Sequence, residues 1–237
     1  MERIKSGIDG FDNLVSGGFP KGKAFLVAGE PGTGKTIFAL QYLLAGLKKG
    51  EKVVYVSIDE TPSNILDDAM SLGWNLNSYL ESGYLKILDV SHYFSTDIIN
   101  NEDGVDIQKT VQDILNQVKK IDAQRLAIDP VVPLVFKQNK VVEVEAYIRH
   151  LIFCVEEERV CTSLLTSHVP VGTKQLSKHG IEEFIVSGIV ELKMVKIKNQ
   201  YLRTLVVRKM RGTSVDLNEF SFDIVKGRGI VLRQHPI

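Results

Sequence analysis

An eight-residue segment, Gly-Glu-Pro-Gly-Thr-Gly-Lys-Thr at positions 29–36, matches the pattern GxxxxGK(S/T) at every defined position. An apolar run at residues 24–28 precedes it, and a stretch with helical periodicity begins near residue 37. A glycine-rich turn between a buried strand and a helix presents the free backbone amides of the helix N-terminus, which bind anions. The sequence therefore predicts a phosphate-binding loop in an α/β fold.

Within this loop, glycines at 32 and 34 allow the backbone to curl around phosphate oxygens. Lys35 is expected to meet the β- and γ-phosphates, and the Thr36 hydroxyl to ligate Mg²⁺. The alternative is a glycine-rich turn with a surface lysine, which the flanking strand and helix disfavour. The residues predicted to contact the nucleotide here are Glu30, Pro31, Gly32, Thr33, Gly34, Lys35 and Thr36.

The rest of the chain alternates short apolar, β-branched runs with helical periodicity, which predicts a mostly parallel sheet flanked by helices on both faces. After about residue 188 a hairpin and two short strands predict an antiparallel β extension at the sheet's edge, and we expect a single domain over residues 1–237. The predicted strands are 24–28, 53–58, 84–88, 125–128, 162–166, 189–197, 201–207, 220–225 and 229–232; the helices are 37–49, 63–72, 107–121 and 142–158; and the loops are 92–104 and 169–180.

The amino-acid composition limits the classes of partner and ligand that this chain is expected to bind. Lysine plus arginine number 29, as do aspartate plus glutamate, so no bulk charge attracts nucleic acid or an anionic membrane. No apolar run approaches the roughly 18 residues that span a bilayer, and the first residues lack the apolar stretch of a secretory signal. Cys154 and Cys161 show no disulfide or zinc spacing and are expected to be free buried thiols. We expect a cytoplasmic protein.

A carboxylate on a neighbouring strand is needed to hold hydrated Mg²⁺ beside a phosphate loop. Asp129 ends the apolar run at 125–128 and matches the aspartate of a Walker B strand. The alternative is that Asp129, before Pro130, only begins a turn. With the phosphate loop present, the metal-binding interpretation is favoured.

Hydrolysis also needs a group that orients or deprotonates water. Asp59 and Glu60 end the second strand, at the edge where open α/β folds bind ligands. Adjacent strand residues point to opposite faces, so the two acids are expected to differ in role; we favour Glu60 as the base and keep Asp59 among the catalytic candidates. A solvated acid near a helix N-terminus remains the alternative for Glu60. The segment 166–168 ends a further strand and either senses the γ-phosphate or is structural, so His168 stays outside the catalytic set.

With these residues placed, the chain resembles the KaiC family of RecA-superfamily ATPases over nearly its whole length. The segments that carry the resemblance are Ser-Gly-Ile-Asp-Gly-Phe-Asp at 6–12, Gly-Gly-Phe-Pro-Lys-Gly at 17–22, the phosphate loop, Asp-Glu-Thr-Pro at 59–62, Gly-Trp-Asn-Leu at 73–76, Gly-Ile-Glu-Glu-Phe at 180–184 and Lys-Met-Arg-Gly-Thr-Ser at 209–214.

The resemblance implies a RecA-like core that assembles into a ring, commonly a hexamer, with ATP held between neighbouring subunits. It also implies that Lys209 and Arg211 reach the γ-phosphate bound next door, and that Gly212 and Thr213 belong to the same nucleotide-binding signature. Residues two apart on a strand share a face, and cations supplied in trans can neutralise transition-state charge. From spacing alone, both cations are ordinary charges of a hairpin.

Three departures limit what the resemblance implies. The family often carries paired glutamates where this chain has Asp59 and Glu60, which suggests slow turnover. Clock proteins of the family often have a histidine where Val215 stands, and they carry two domains in tandem. The sequence therefore predicts neither autokinase activity nor a circadian role.

The leading hypothesis is a Mg²⁺-dependent ATPase whose nucleotide state controls a ring and, through it, an unidentified regulatory or signalling protein. A DNA recombinase or helicase is the first alternative, with Lys174, Lys178 and His179 in a loop facing a central channel. The balanced charge and the lack of aromatic residues in that loop disfavour it. A nucleotide-gated scaffold with negligible turnover is the second alternative.

Overall fold

We describe a computed structural model of the protein. The structure describes residues 1–94, 106–132, 141–157, 161–170, 172–173, 175–177 and 180–237. Much of the two predicted loops therefore lies outside the described residues.

A nine-stranded sheet in the order β11-β10-β9-β8-β3-β7-β6-β4-β5 organises the fold, beside a small β1-β2 pair. The strands are β1 Arg3–Ile4, β2 Phe19–Pro20, β3 Ala24–Gly29, β4 Val53–Ser57, β5 Leu85–Asp89, β6 Arg125–Asp129, β7 Thr162–His168, β8 Gly188–Ile197, β9 Gln200–Met210, β10 Phe220–Val225 and β11 Gly229–Pro236. The helices are α1 Phe11–Leu14, α2 Lys35–Leu47, α3 Pro62–Ser71, α4 Asn77–Glu81, α5 Ile107–Lys120, α6 Val141–Glu157 and α7 Glu182–Ile185, with a 3₁₀ turn at Ser91–Phe94.

The predicted mostly parallel sheet with an antiparallel extension is confirmed. Strands β8, β3, β7, β6, β4 and β5 pair in parallel, and β9, β10 and β11 add antiparallel. One detail differs: β8, the first strand of the predicted hairpin, pairs in parallel with β3 and thus lies inside the sheet. Its apolar first half is buried on both faces, as a central parallel strand requires.

Two hydrophobic layers cover the faces of the sheet. On one face, α2 packs over an aromatic cluster in which the rings of Phe19 and Phe25 lie 4.6 Å apart. On the other, α5 and α6 supply buried residues such as Ile114 and Leu151. Cys161 is buried and Cys154 is partly buried, and burial raises the pKa of the Cys161 thiol to about 11.

The parallel strands place their carboxyl ends along one edge of the sheet. Gly29 at the end of β3 lies beside His168 of β7, and Ser57 at the end of β4 lies beside Asp129 of β6. This register gathers the predicted phosphate loop and the predicted acidic residues at a single edge, where open α/β folds bind ligands.

Candidate active site

The predicted phosphate loop connects β3 directly to α2. Gly34 caps the helix with a φ of 104°, a conformation that glycine adopts without strain, and the amide of Phe38 donates to its carbonyl at 2.9 Å. A Cβ on Gly29 would lie 2.5 Å from the carbonyl oxygen of Leu192 on β8, so glycine is required where the loop leaves the sheet. The loop is therefore shaped to present the N-terminus of a thirteen-residue helix.

The ammonium group of Lys35 lies inside the curl of this loop. Its Nζ donates to the carbonyls of Gly29 at 2.9 Å and Glu30 at 3.0 Å, and the side chain is buried. Burial lowers the pKa of Lys35, while the negative charge of Asp129 opposes that shift. The carbonyls thus hold a cation in the position where a phosphate would meet it.

Asp129, at the end of β6, is a buried carboxylate that receives two hydroxyl hydrogen bonds. The Tyr55 hydroxyl donates to Oδ2 at 2.7 Å, and the Thr166 hydroxyl donates to Oδ1. Burial, and then the charge of Asp129, raises the pKa of Tyr55, which keeps this hydroxyl protonated. Asp129 is therefore held rigidly from both neighbouring strands, which the sequence pattern did not reveal.

Glu60 follows β4 and faces the loop. The Ser57 hydroxyl donates to the Glu60 carbonyl at 2.5 Å, which turns the chain there. Burial raises the pKa of the Glu60 carboxyl, and the charges of Asp129, Asp68 and Asp59 add to this effect. Asp59 and Glu60 are both exposed residues just beyond the end of this strand.

A cavity of about 430 Å³ is lined by the phosphate loop and Glu60, whereas Asp129 is not among its lining residues. Two residues that line the cavity were not predicted from the sequence. One is Arg203 of β9, whose Nε donates to the Gly32 carbonyl at 3.1 Å. The other is Asp68 of α3. Arg203 reaches the loop because β9 pairs with β8 and β8 pairs with β3, a long-range register with no local signature. The lining residues are Pro31, Gly32, Gly34, Lys35, Thr36, Ile37, Leu40, Glu60, Asp68, Ser71, Leu72, His168, Arg203 and Ile224.

Lys209 and Arg211 lie back along the sheet from their own phosphate loop, with Lys209 level with the middle of β3 and Arg211 level with its start. Lys209 pairs with Ile189, which pairs with Leu26 near the start of β3. The amide of Arg211 donates to the Ser187 carbonyl, one step from Ala24. Given a rise of about 3.3 Å per residue, both backbones lie roughly 10 to 17 Å along the strand direction from Gly29.

The two residues that follow lie in the same region. Gly212 turns the chain with a φ of 66°, and the hydroxyl of Thr213 accepts a 2.9 Å hydrogen bond from Arg3. The structure thus separates the predicted site residues into two groups. One surrounds the phosphate loop, and the backbones of the other lie farther back along the strands, where the Lys209 and Arg211 side chains donate to carbonyls of their own chain rather than to the loop.

Comparison with known proteins identifies the family. A family profile described as "ATPase: KaiC" matches residues 4–236. The chain belongs to the KaiC family of P-loop ATPases. This membership confirms the resemblance found in the sequence, and it implies that the phosphate loop binds a nucleotide.

Individual KaiC-family relatives match closely. A UPF0273 protein of Methanopyrus kandleri is 32% identical over 235 residues, which cover 94% of this chain and 89% of that protein. The circadian clock protein KaiC3 of Synechocystis is 30% identical, but the match covers 98% of this chain and only 46% of that protein. The crystal structure of a KaiC-like protein from Pyrococcus horikoshii matches with a TM-score of 0.85 and 31% identity, covering 98% of this chain and 99% of the other.

Two sequence-based expectations concern parts of the chain beyond this site. Lys174, Lys178 and His179, on which the DNA-binding alternative rests, lie outside the described residues. Within the part of the chain that the structure describes, no helix has the length and apolar character needed to cross a membrane.

Proposed function

We propose that this KaiC-family protein is a Mg²⁺-dependent ATPase whose active site is completed by a neighbouring subunit in a ring, as in the predicted hexamer. The observation that carries the proposal is the separation of the two groups of site residues. The phosphate loop, Glu60 and Asp129 lie at the carboxyl ends of the parallel strands, and the backbones of Lys209 and Arg211 lie farther back along the strand direction. A head-to-tail interface brings unlike faces of two copies together and closes into a ring when the rotation allows.

The donor set fits a magnesium ion. Mg²⁺ prefers oxygen ligands and is usually bound by one or two protein groups together with substrate phosphates and water. The Thr36 hydroxyl lines the cavity, and Asp129 is close enough to act electrostatically on Lys35. Among the described residues no group of three or more His, Cys, Asp or Glu side chains forms a metal cage, so a divalent cation at this edge depends on Thr36, Asp129 and the nucleotide. When bound, it neutralises phosphate charge.

The side chains of the protein have separate roles in ATP hydrolysis. Lys35 moves its hydrogen bonds from the loop carbonyls to the β- and γ-phosphates, and Arg203 is placed to contact the nucleotide from the opposite wall. Glu60 accepts the proton of the attacking water, for which its raised pKa makes it a stronger base than an ordinary carboxylate. Lys209 and Arg211 of the neighbouring copy stabilise the negative charge of the transition state.

Nucleotide-dependent assembly of this kind suits a regulatory role, and we propose that the ring acts on a protein partner in signalling. This part of the proposal rests on the family, because no described surface identifies the partner. The ATPase activity is the part of the proposal to test first, because regulation by nucleotide state requires hydrolysis or exchange of the bound nucleotide.

Steady-state ATP hydrolysis across a range of protein concentrations tests the proposal. Activity per subunit is expected to rise with concentration, because an isolated subunit lacks the cations at its nucleotide. Glu60→Gln is expected to lower the rate by about 10²- to 10⁴-fold, whereas Glu81→Gln, a change to an exposed residue of α4, should retain wild-type activity. A wild-type rate no higher than that of Glu60→Gln, together with ATP-dependent assembly, would instead establish the nucleotide-gated scaffold.

A further inference from the structure

Glu182, the first residue of α7, is a fully buried carboxylate outside the cavity just described. Its Oε1 accepts a hydrogen bond from the Ser167 hydroxyl at 3.0 Å, and its Oε2 accepts one from the backbone amide of Ile181 at 3.2 Å. Taking a carboxylate out of water is costly unless such bonds compensate. The Ser167 bond therefore attaches α7 to the end of β7.

Ser167 lies at a sensitive point of β7. The residue before it, Thr166, donates its hydroxyl hydrogen bond to Asp129, and the residue after it, His168, lines the nucleotide cavity. Because successive strand residues point to opposite faces, the Ser167 side chain lies on the face of the sheet opposite to those of Thr166 and His168. A shift of this strand end would therefore also move Ser167 on that other face. The strand end thus contacts the candidate active site on one face and Glu182 on the other.

The main chain of α7 holds both distant cations. The Nζ of Lys209 donates to the Glu183 carbonyl at 2.6 Å, and Nη2 of Arg211 donates to the Phe184 carbonyl at 3.0 Å. A helix of four residues has little internal hydrogen bonding of its own, so its orientation depends on its anchors. Glu182 is an anchor adjacent to both carbonyls.

We propose that Glu182 is a positioning residue which, through Ser167, couples the orientation of Lys209 and Arg211 to the nucleotide-facing end of β7. The inference rests on the proposed function, in which these two cations act on the nucleotide of the neighbouring subunit. It adds a physical connection between the site that a subunit contains and the site that it completes. A change at the nucleotide-binding end of β7 in one subunit then alters the position of the two cations that this subunit supplies to its neighbour.

The first test separates turnover from nucleotide binding. Ser167→Ala and Glu182→Gln are expected to lower kcat by about 10- to 100-fold, because displaced cations fail to match the transition state. Affinity for a fluorescent ATP analogue at low protein concentration is expected to stay at the wild-type value, since the phosphate loop of the same chain is unchanged. Thr204→Val is the control, because it removes another hydroxyl–carboxylate bond, partly buried, from Thr204 to Glu219 at 2.5 Å, away from α7. Wild-type kcat in both test variants would overturn the proposal.

Mixed rings give the sharper test. Glu60→Gln subunits lack the base but keep the cations, whereas Ser167→Ala subunits keep the base but misplace the cations. In an equal, random mixture, about a quarter of head-to-tail interfaces join an intact base to intact cations, so activity should recover above that of either variant alone. The reference mixture combines Glu60→Gln with the double variant Lys209→Ala and Arg211→Ala.

The two mixtures distinguish the two proposals. Recovery in both supports the coupling through Glu182. Recovery in the reference mixture alone overturns the role of Glu182 and leaves the shared active site standing. No recovery in the reference mixture overturns the shared site and, with it, the inference drawn from it.

Discussion

The hydroxyl of Tyr55 on β4 donates a 2.7 Å hydrogen bond to Oδ2 of Asp129 on β6. Both side chains are buried, and the Thr166 hydroxyl of β7 satisfies the other carboxylate oxygen. The carboxylate at the predicted metal position is therefore oriented by hydroxyl donors from both adjacent strands, and we expect stability and metal binding to depend on the same contact.

Tyr55→Phe tests that dependence. Loss of one donor to a buried carboxylate should lower the free energy of unfolding by about 1–3 kcal/mol, and the Mg²⁺ concentration for half-maximal ATPase activity should rise because Asp129 is held less firmly. Urea unfolding and a Mg²⁺ titration measure the two effects. Tyr42→Phe is the control, since the Tyr42 hydroxyl donates at 2.9 Å to the Thr162 carbonyl away from the metal position. An equal Mg²⁺ requirement in both variants would show that the Tyr55 hydroxyl does not contribute to metal binding.

Lys35→Met should weaken nucleotide binding. The lysine contributes charge-assisted hydrogen bonds to phosphate, each worth about 1.5–3 kcal/mol, so the Kd for ATP should rise by about 10- to 100-fold. Lys49→Met, at an exposed position just after α2, controls for the loss of a positive charge. Isothermal titration calorimetry gives both values, and equal affinities would show that Lys35 does not contact the nucleotide.

Glu60→Gln should stabilise the protein at neutral pH in the absence of nucleotide. Burial and three neighbouring acids raise the pKa of Glu60 in the folded chain, so its ionised form is less favourable there than in the unfolded chain. Neutral glutamine removes that cost at pH 7. As the pH falls through the raised pKa, the wild-type carboxyl becomes protonated, and the difference should vanish below the ordinary glutamate value of about 4.3. Urea unfolding at pH 7 and pH 4 checks the sign, and a destabilised variant at pH 7 would contradict it.

Arg203→Ala should raise the Kd for ATP by about 10-fold, the loss of one charge-assisted hydrogen bond. Lysine is not expected to restore binding, because it lacks the planar guanidinium that holds the Gly32 carbonyl and the ligand in one geometry. Arg208→Ala, which removes a 2.6 Å ion pair with Glu191 farther along β9, provides the comparison. If both alanine variants bind ATP as the wild type does, the guanidinium of Arg203 does not contact the nucleotide.

Much of the fold followed from local patterns. The strand preceding the phosphate loop was expected at 24–28 and occupies Ala24–Gly29, and the helix expected at 63–72 occupies Pro62–Ser71, capped by the Thr61 hydroxyl. These features depend on neighbouring residues alone: a continuous apolar run for a buried strand, and a capping hydroxyl followed by proline for a helix start. The parallel pairing of β8 with β3 was not predicted, because strand order depends on pairing between distant segments.

The sequence by itself determined the phosphate loop, because the spacing of Gly32, Gly34 and Lys35 has a single local geometry that suits it. It also predicted that Glu60 and Asp129 lie at strand ends, and its motifs were sufficient to indicate the KaiC family. Only the tertiary structure decided which of these residues meet. Strand register brings Arg203 beside the loop and places Lys209 and Arg211 farther back along the strands, and contacts between distant segments join Ser167 to Glu182. Hydrogen bonds between segments far apart in the chain leave no periodicity in the sequence, so their partners become visible only once the sheet is assembled.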